Sequence, residues 1–219
     1  MWSPSSGRTP GASEASEINS VKLRVLCLHG YHGSTEVLRA QMKPLLDGTK
    51  SSSAAEFVYV DAPSLTQGDY GWWHRGFRGW ERTRDWAIGL FGQQSFDGVF
   101  GFSQGAALTA LLAGMRAPDG RTTAQQPLAF RFAIMVSGFR SDSPAHAGLF
   151  AARESFALPS VHIMSRRDPV VSPASSRLLA AEFDSPIVLE HSGGHVIPGT
   201  PEIRDAVAGF LADMAQGGS

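Results

Sequence analysis

The segment Asp97-Gly98-Val99-Phe100-Gly101-Phe102-Ser103-Gln104-Gly105-Ala106-Ala107-Leu108 decides the reading of this chain. A short apolar run ends in Gly-x-Ser-x-Gly, and small and aliphatic residues follow at helical spacing. The pattern predicts a buried strand that turns sharply into a helix, with Ser103 on the turn. Gly101 and Gly105 lack side chains where strand and helix backbones must nearly touch, and such a turn holds a serine exposed above the sheet. Small residues in a strand–helix turn also occur without chemistry, so the rest of the chain must supply the partners a nucleophile needs.

Outward from this turn, the apolar runs at 21–28, 57–60, 130–136, 161–164 and 187–190 read as further strands. The second half of the first is apolar on both faces, as a strand buried in a parallel sheet is. Helical spacing predicts helices over 35–46, 81–91, 104–115, 173–183 and 202–214. In the first, Val37, Leu38, Met42, Leu45 and Leu46 share a face and Ser34 is its N-cap. In the last, Ile203, Val207, Phe210 and Leu211 form the inner stripe. Residues 140–157 read as a loop with one short helix. The alternation predicts an α/β fold: about six mostly parallel strands with helices on both faces and no large lid domain.

A chain of 219 residues with 19 basic and 20 acidic side chains fits one domain over 21–215, preceded by a disordered arm over 1–20. The near balance of charge excludes an obvious nucleic-acid partner. No window is long and apolar enough for a membrane span, and the arm has no secretion-signal pattern, so a cytoplasmic location is expected. Cys27, the only cysteine, rules out a disulfide framework or a cysteine-based metal site and reads as a small core residue.

In open α/β sheets, functional groups gather beyond the carboxyl ends of the strands. That rule makes neighbours of the loops bearing Ser103, Asp168 and His195. A serine hydroxyl needs an imidazole to take its proton and a carboxylate to orient that imidazole. The chain order Ser, Asp, His is that of the α/β-hydrolases. Gly193-Gly194 lets the last loop bend the His195 ring toward Ser103. Asp168 ranks ahead of Asp142 and Asp184 as the acid. His29 suits shaping the first turn better than taking a proton, and His191 lacks the glycine approach. Asp61 reads as a local cap. The oxyanion donors for this fold would be the backbone N–H groups of Gln104 and Tyr31. The chemistry requires neither cofactor nor metal.

Residues 64–80 mix glycines with Tyr70, Trp72, Trp73, Phe77 and Trp80, and four of the five tryptophans fall between 72 and 86. These rings can either cap the core as a packed loop or, with Tyr31, form an apolar substrate pocket.

Four segments, Cys27-Leu28-His29-Gly30-Tyr31-His32-Gly33-Ser34, Val60-Asp61-Ala62-Pro63, Gly101-Phe102-Ser103-Gln104-Gly105-Ala106 and His191-Ser192-Gly193-Gly194-His195-Val196-Ile197-Pro198, resemble the fungal FSH-type serine hydrolases. The resemblance implies an α/β-hydrolase fold and assigns the triad to Ser103, Asp168 and His195. Leu38-Arg39-Ala40-Gln41 is similar to members found beside fungal polyketide synthases, and Trp72-Trp73 fits the family's aromatic segment. Those members imply a thioesterase of secondary metabolism, releasing a polyketide acyl chain from an acyl carrier protein. The alternatives are a carboxylesterase on small free esters and a non-catalytic binding protein with the same fold. The family usually has glycine near the start of the acid loop, where this chain has Ser165-Arg166-Arg167. The sequence does not give the oligomeric state.

Overall fold

A computed structural model describes residues 22–47, 54–63, 71–151 and 155–217. The expected N-terminal arm and Tyr70 lie outside the described residues. In chain order the elements are β1 (Leu23–Leu28), α1 (Thr35–Leu46), β2 (Ala55–Val60), α2 (Trp80–Gln93), β3 (Gly98–Phe102), α3 (Gln104–Gly114), β4 (Phe132–Val136), α4 (Ala147–Ala151), β5 (Ser160–Ser165), α5 (Pro173–Ala180), β6 (Ile187–His191) and α6 (Pro201–Gln216). Short 3₁₀ turns at Arg75–Phe77 and Pro144–His146 precede α2 and α4.

The six strands form one sheet in the order β2-β1-β3-β4-β5-β6, and every pairing is parallel. Side chains alternate across a strand, so each buried strand feeds two cores. Val25, Cys27, Phe100, Phe102, Phe132 and Ile134 face α1 and α6. Leu26, Leu28, Val99, Ala133 and Met135 face α2, α3 and α5. This is the α/β-hydrolase architecture, and no large lid domain stands among the described residues.

Helix α3 explains why β3 lies at the centre. Residues 104–113 are all buried, so this helix is apolar around its whole circumference and sits inside the molecule. A Cβ on Gly101 would stand 2.3 Å from the Gly105 carbonyl oxygen, and one on Gly105 would stand 2.1 Å from that of Leu28. Both are far inside van der Waals contact, so glycine is required on each side of Ser103.

Helix α1 occupies the expected residues, with Leu38, Met42 and Leu45 buried and the Ser34 hydroxyl accepting the Val37 N–H at 3.3 Å. Val37, expected inside, is 44 % exposed. One residue turns a helix by about 100°, which swings it off the Leu38–Met42–Leu45 line. Asp61 caps at a distance: its Oδ1 accepts the Thr35 N–H at 2.7 Å and the Thr35 hydroxyl at 2.8 Å, fastening the start of α1 to the end of β2. Among the described residues no helix is long and apolar enough to cross a membrane.

Candidate active site

Ser103 follows the last residue of β3 and adopts φ 55°, ψ −116°, a left-handed conformation that costs a non-glycine residue about 1–3 kcal/mol. The surrounding backbone holds it there. Its N–H donates to the Val136 carbonyl at 2.8 Å, and its own carbonyl accepts from Ala106 and Ala107 in the first turn of α3. Ser103 therefore stands at the positive end of a buried helix, where developing negative charge is favoured.

Residues more than ninety positions apart meet above this turn. The Ser103 hydroxyl lies 3.0 Å from His195 Nε2, and His195 Nδ1 lies 2.7 Å from Asp168 Oδ2. This pairing puts the imidazole proton on Nδ1, donating to the carboxylate, and leaves Nε2 to accept from the serine. The His195 ring packs 4.9 Å from the Phe102 ring. The Asp168 side chain is 1 % exposed and that of His195 19 %. Burial works against the charge on Asp168, but hydrogen bonds from His195, the Val171 and Val170 backbone and the Ser137 hydroxyl outweigh it and hold the carboxyl below the usual range. It is thus ionised at neutral pH beside the His195 ring.

The other candidates stand outside the Ser103–His195–Asp168 line. His29 uses both ring nitrogens in the turn after β1: Nε2 accepts the Ala62 N–H at 3.1 Å, so Nδ1 carries the proton it donates to the Gly30 carbonyl at 2.7 Å. Burial pushes its pKa below the ordinary imidazole value. His191 Nδ1 accepts the Gly193 N–H at 3.1 Å within the loop that carries His195. Asp184 is exposed at the end of the α5 segment, and Asp142 lines the neighbouring cleft.

Tyr31 and Gln104 border that cleft together with Ser103. It has a volume of about 680 Å³, and Phe139, Val171 and Leu178 supply apolar lining. A second cleft of about 430 Å³ shares Tyr31 and Gln104 and adds Trp73, His74 and Phe77. The aromatic segment thus divides between the two readings made of it. Tyr31, Trp73 and Phe77 reach a cleft, whereas Trp72 and Trp80 line neither. Trp72 is fully buried, with its indole N–H donating to the His29 carbonyl at 2.7 Å. Trp80 packs edge-on against the buried His146 ring at 4.5 Å. A ring that carries a polar N–H and sits over the core is drawn inward once that N–H finds a carbonyl.

Three contributions go beyond the sequence reading. Gln104 supplies a side chain as well as a backbone: Oε1 accepts the Trp72 N–H at 2.9 Å and Nε2 donates to the Trp73 carbonyl at 2.8 Å. The Ser137 hydroxyl donates to Asp168 Oδ2 at 2.8 Å from the turn after β4. The Ser165 hydroxyl touches both loops that carry Asp168 and His195. Ser137 follows a strand directly, as Ser103 does, and that position was the available signal. Among the described residues no three His, Cys, Asp or Glu side chains are grouped to hold a metal ion.

The family model described as serine hydrolase (FSH1) matches residues 18–207. The chain belongs to that family. Esterase OVCA2 of Xenopus tropicalis is 33 % identical over 220 residues, covering 87 % of this chain and 90 % of that protein. Esterase CG5412 of Drosophila melanogaster is 30 % identical over 219 residues, covering 89 % and 75 %. Among solved structures, esterase PE8 superposes with a TM-score of 0.64 at 23 % identity, covering 89 % of this chain and 94 % of that one. Acyl-protein thioesterase 2 of Zea mays gives 0.59 at 18 %, covering 90 % and 96 %. Membership makes the chain a serine hydrolase, and the solved structures share its fold.

Proposed function

We propose that this serine hydrolase cleaves acyl esters and thioesters through an acyl-enzyme on Ser103. The observation that carries the reading is the unbroken line from the Ser103 hydroxyl through His195 to the buried Asp168 carboxylate. As Ser103 Oγ bonds to the substrate carbonyl carbon, its proton passes to His195 Nε2. Asp168 steadies the resulting imidazolium. The carbonyl oxygen becomes an oxyanion beside the Tyr31 and Gln104 backbone N–H groups, the second of which opens α3 and has no partner earlier in its own helix. The tetrahedral centre then collapses, the bond to the leaving oxygen or sulfur breaks, and His195 returns the proton to it. Water repeats the sequence on the acyl-enzyme, releasing the carboxylic acid and restoring Ser103.

For the substrate, the reading is an acyl chain lodged along Phe139, Val171 and Leu178 and delivered as a thioester by an acyl carrier protein, a polyketide-releasing step of fungal secondary metabolism. Its support is the resemblance carried by Leu38-Arg39-Ala40-Gln41 and the apolar wall beside Ser103. The esterase names of the animal relatives favour free oxygen esters as the second reading.

Two measurements test these statements. Ser103→Ala lowers hydrolysis by about 10⁴-fold or more and abolishes fluorophosphonate labelling; undiminished labelling removes Ser103 as the nucleophile. A matched acyl thioester and oxygen ester, compared by kcat/KM, decide the substrate. A preference for the small free ester favours the second reading.

A further inference from the structure

Ser165 closes β5, and its side chain is buried, with the residue 1 % exposed. Its Oγ accepts two backbone N–H groups, from Arg167 at 3.1 Å and from Gly194 at 3.2 Å. Arg167 immediately precedes Asp168, and Gly194 immediately precedes His195. One oxygen atom therefore holds the backbone next to both members of the acid–base pair.

The surroundings show why this tie matters. The β5–β6 ladder ends at the pair Ser165 and His191, followed only by the Arg166 N–H donating to the His191 carbonyl at 2.8 Å. Beyond that point the acid loop and the histidine loop separate. Between the end of the ladder and the Asp168–His195 contact, the Ser165 hydroxyl joins the two backbones. Gly194 has φ +80°, a conformation glycine adopts without strain, and its N–H donates to this oxygen. Asp168 is fastened within its own loop by the Val170 and Val171 N–H groups at 2.8 and 2.9 Å. Those bonds fix the carboxylate against its own backbone and say nothing about where His195 stands. A hydroxyl is the smallest side chain that can accept from both loops; glycine or alanine at this position offers no acceptor.

We propose that Ser165 is a positioning residue that sets the separation of Asp168 and His195, acting through the Arg167 and Gly194 backbones without touching substrate. The inference rests on the reading of Ser103, His195 and Asp168 as the reacting set. Misplacement of a catalytic group by about 1 Å costs on the order of 100-fold in rate, and loss of the tie releases His195 by a fraction of that distance.

The test compares wild type with Ser165→Ala, Ser165→Gly and Ser165→Thr on a p-nitrophenyl acyl ester, with rates normalised to sites titrated by a fluorophosphonate. The Ala and Gly variants should show kcat per titrated site reduced about 10- to 100-fold with KM within about twofold. Slower phosphonylation and a weakened far-downfield proton resonance from His195 Nδ1–H should accompany the loss. The Thr variant, which keeps the hydroxyl, should recover most of the kcat. A purely structural role would lower thermal stability while leaving kcat per titrated site and the downfield resonance intact, and that result overturns the proposal. So does a Thr variant that folds as wild type yet is as slow as Ala. If Ser103→Ala retains turnover and labelling, the reading of the reacting set fails instead, separately from the role of Ser165.

Discussion

Replacing His162 by phenylalanine should make the protein more resistant to mild acid. His162 lies in β5, is 2 % exposed, packs 4.9 Å from the Phe183 ring and has Nε2 3.2 Å from the Ser160 hydroxyl. Burial alone lowers its pKa from 6.5 to about 4. The folded protein thus holds the ring neutral where the unfolded chain would protonate it. Stability is full above the unfolded value and is lost as pH falls through the interval between the two pKa values. At about 1.4 kcal/mol per tenfold change in proton concentration, the gap amounts to roughly 3–4 kcal/mol in the limit. About 2 kcal/mol of it is gone at pH 5 and about 3 kcal/mol at pH 4.

His162→Phe keeps a ring against Phe183 and removes the titration. Its cost, the unpartnered Ser160 hydroxyl, is the same at every pH and cancels in the comparison. Urea unfolding of both proteins, from neutral pH down to about pH 5, should show the stability difference moving by about 2 kcal/mol in favour of the variant. Asp168 does not enter this window, because its lowered pKa contributes stability that disappears only below the ordinary carboxylate range. His29, His146 and His191 are also held below the usual value by burial, so the wild type should lose more than the share assigned to His162. A difference between the two proteins that stays constant from pH 7 to pH 5 would refute the reasoning.

Two further substitutions probe the ties around Ser103. Gln104→Glu keeps an acceptor for the Trp72 N–H but turns a carboxylate oxygen toward the Trp73 carbonyl, so the urea midpoint should fall by the equivalent of about 1–3 kcal/mol; an unchanged midpoint would dismiss the tie. Ser137→Ala and Ser137→Gly both remove the donor to Asp168 Oδ2 and should lower kcat alike, by about tenfold, but only glycine relieves the φ of 50°, so calorimetry should find it more stable than alanine by about 1 kcal/mol.

The fold was legible because buried parallel strands and amphipathic helices write their own periods. The helix over Thr35–Leu46 and the strand ending at Phe102 carry enough local pattern to be placed without tertiary information. Ser103, Asp168 and His195 were legible as a set for a related reason: each follows its own strand, and a parallel sheet brings such loops to one edge. The aromatic segment had no comparable period. Whether Trp72 lines a pocket or fills the core depends on the His29 carbonyl and the Gln104 amide, which lie 43 and 32 residues away. The contacts of Ser137 and Ser165 have no local pattern because serine is common in turns, and what distinguishes these two is which loop each hydroxyl reaches.

The separation of Ser103 from His195, 92 residues apart in the chain, is set by steps between neighbouring strands. The Ser103 N–H bonds the Val136 carbonyl at the end of β4, and the Ser137 N–H bonds the Ile163 carbonyl in β5. The Arg166 N–H bonds the His191 carbonyl at the end of β6. Each bond carries the parallel ladder one residue past a strand end, so every loop departs from a point fixed by its neighbour. Hydroxyls then fasten the loops beyond the ladder, Ser137 to Asp168 and Ser165 to the approach of His195. The left-handed conformations of Ser103 and Ser137 fit this arrangement, because each directs a side chain out of the sheet while its N–H still points along the ladder. Local strain at these two residues is therefore the counterpart of long-range order. The register of β3, β4, β5 and β6 leaves the Ser103, Asp168 and His195 side chains little freedom to drift.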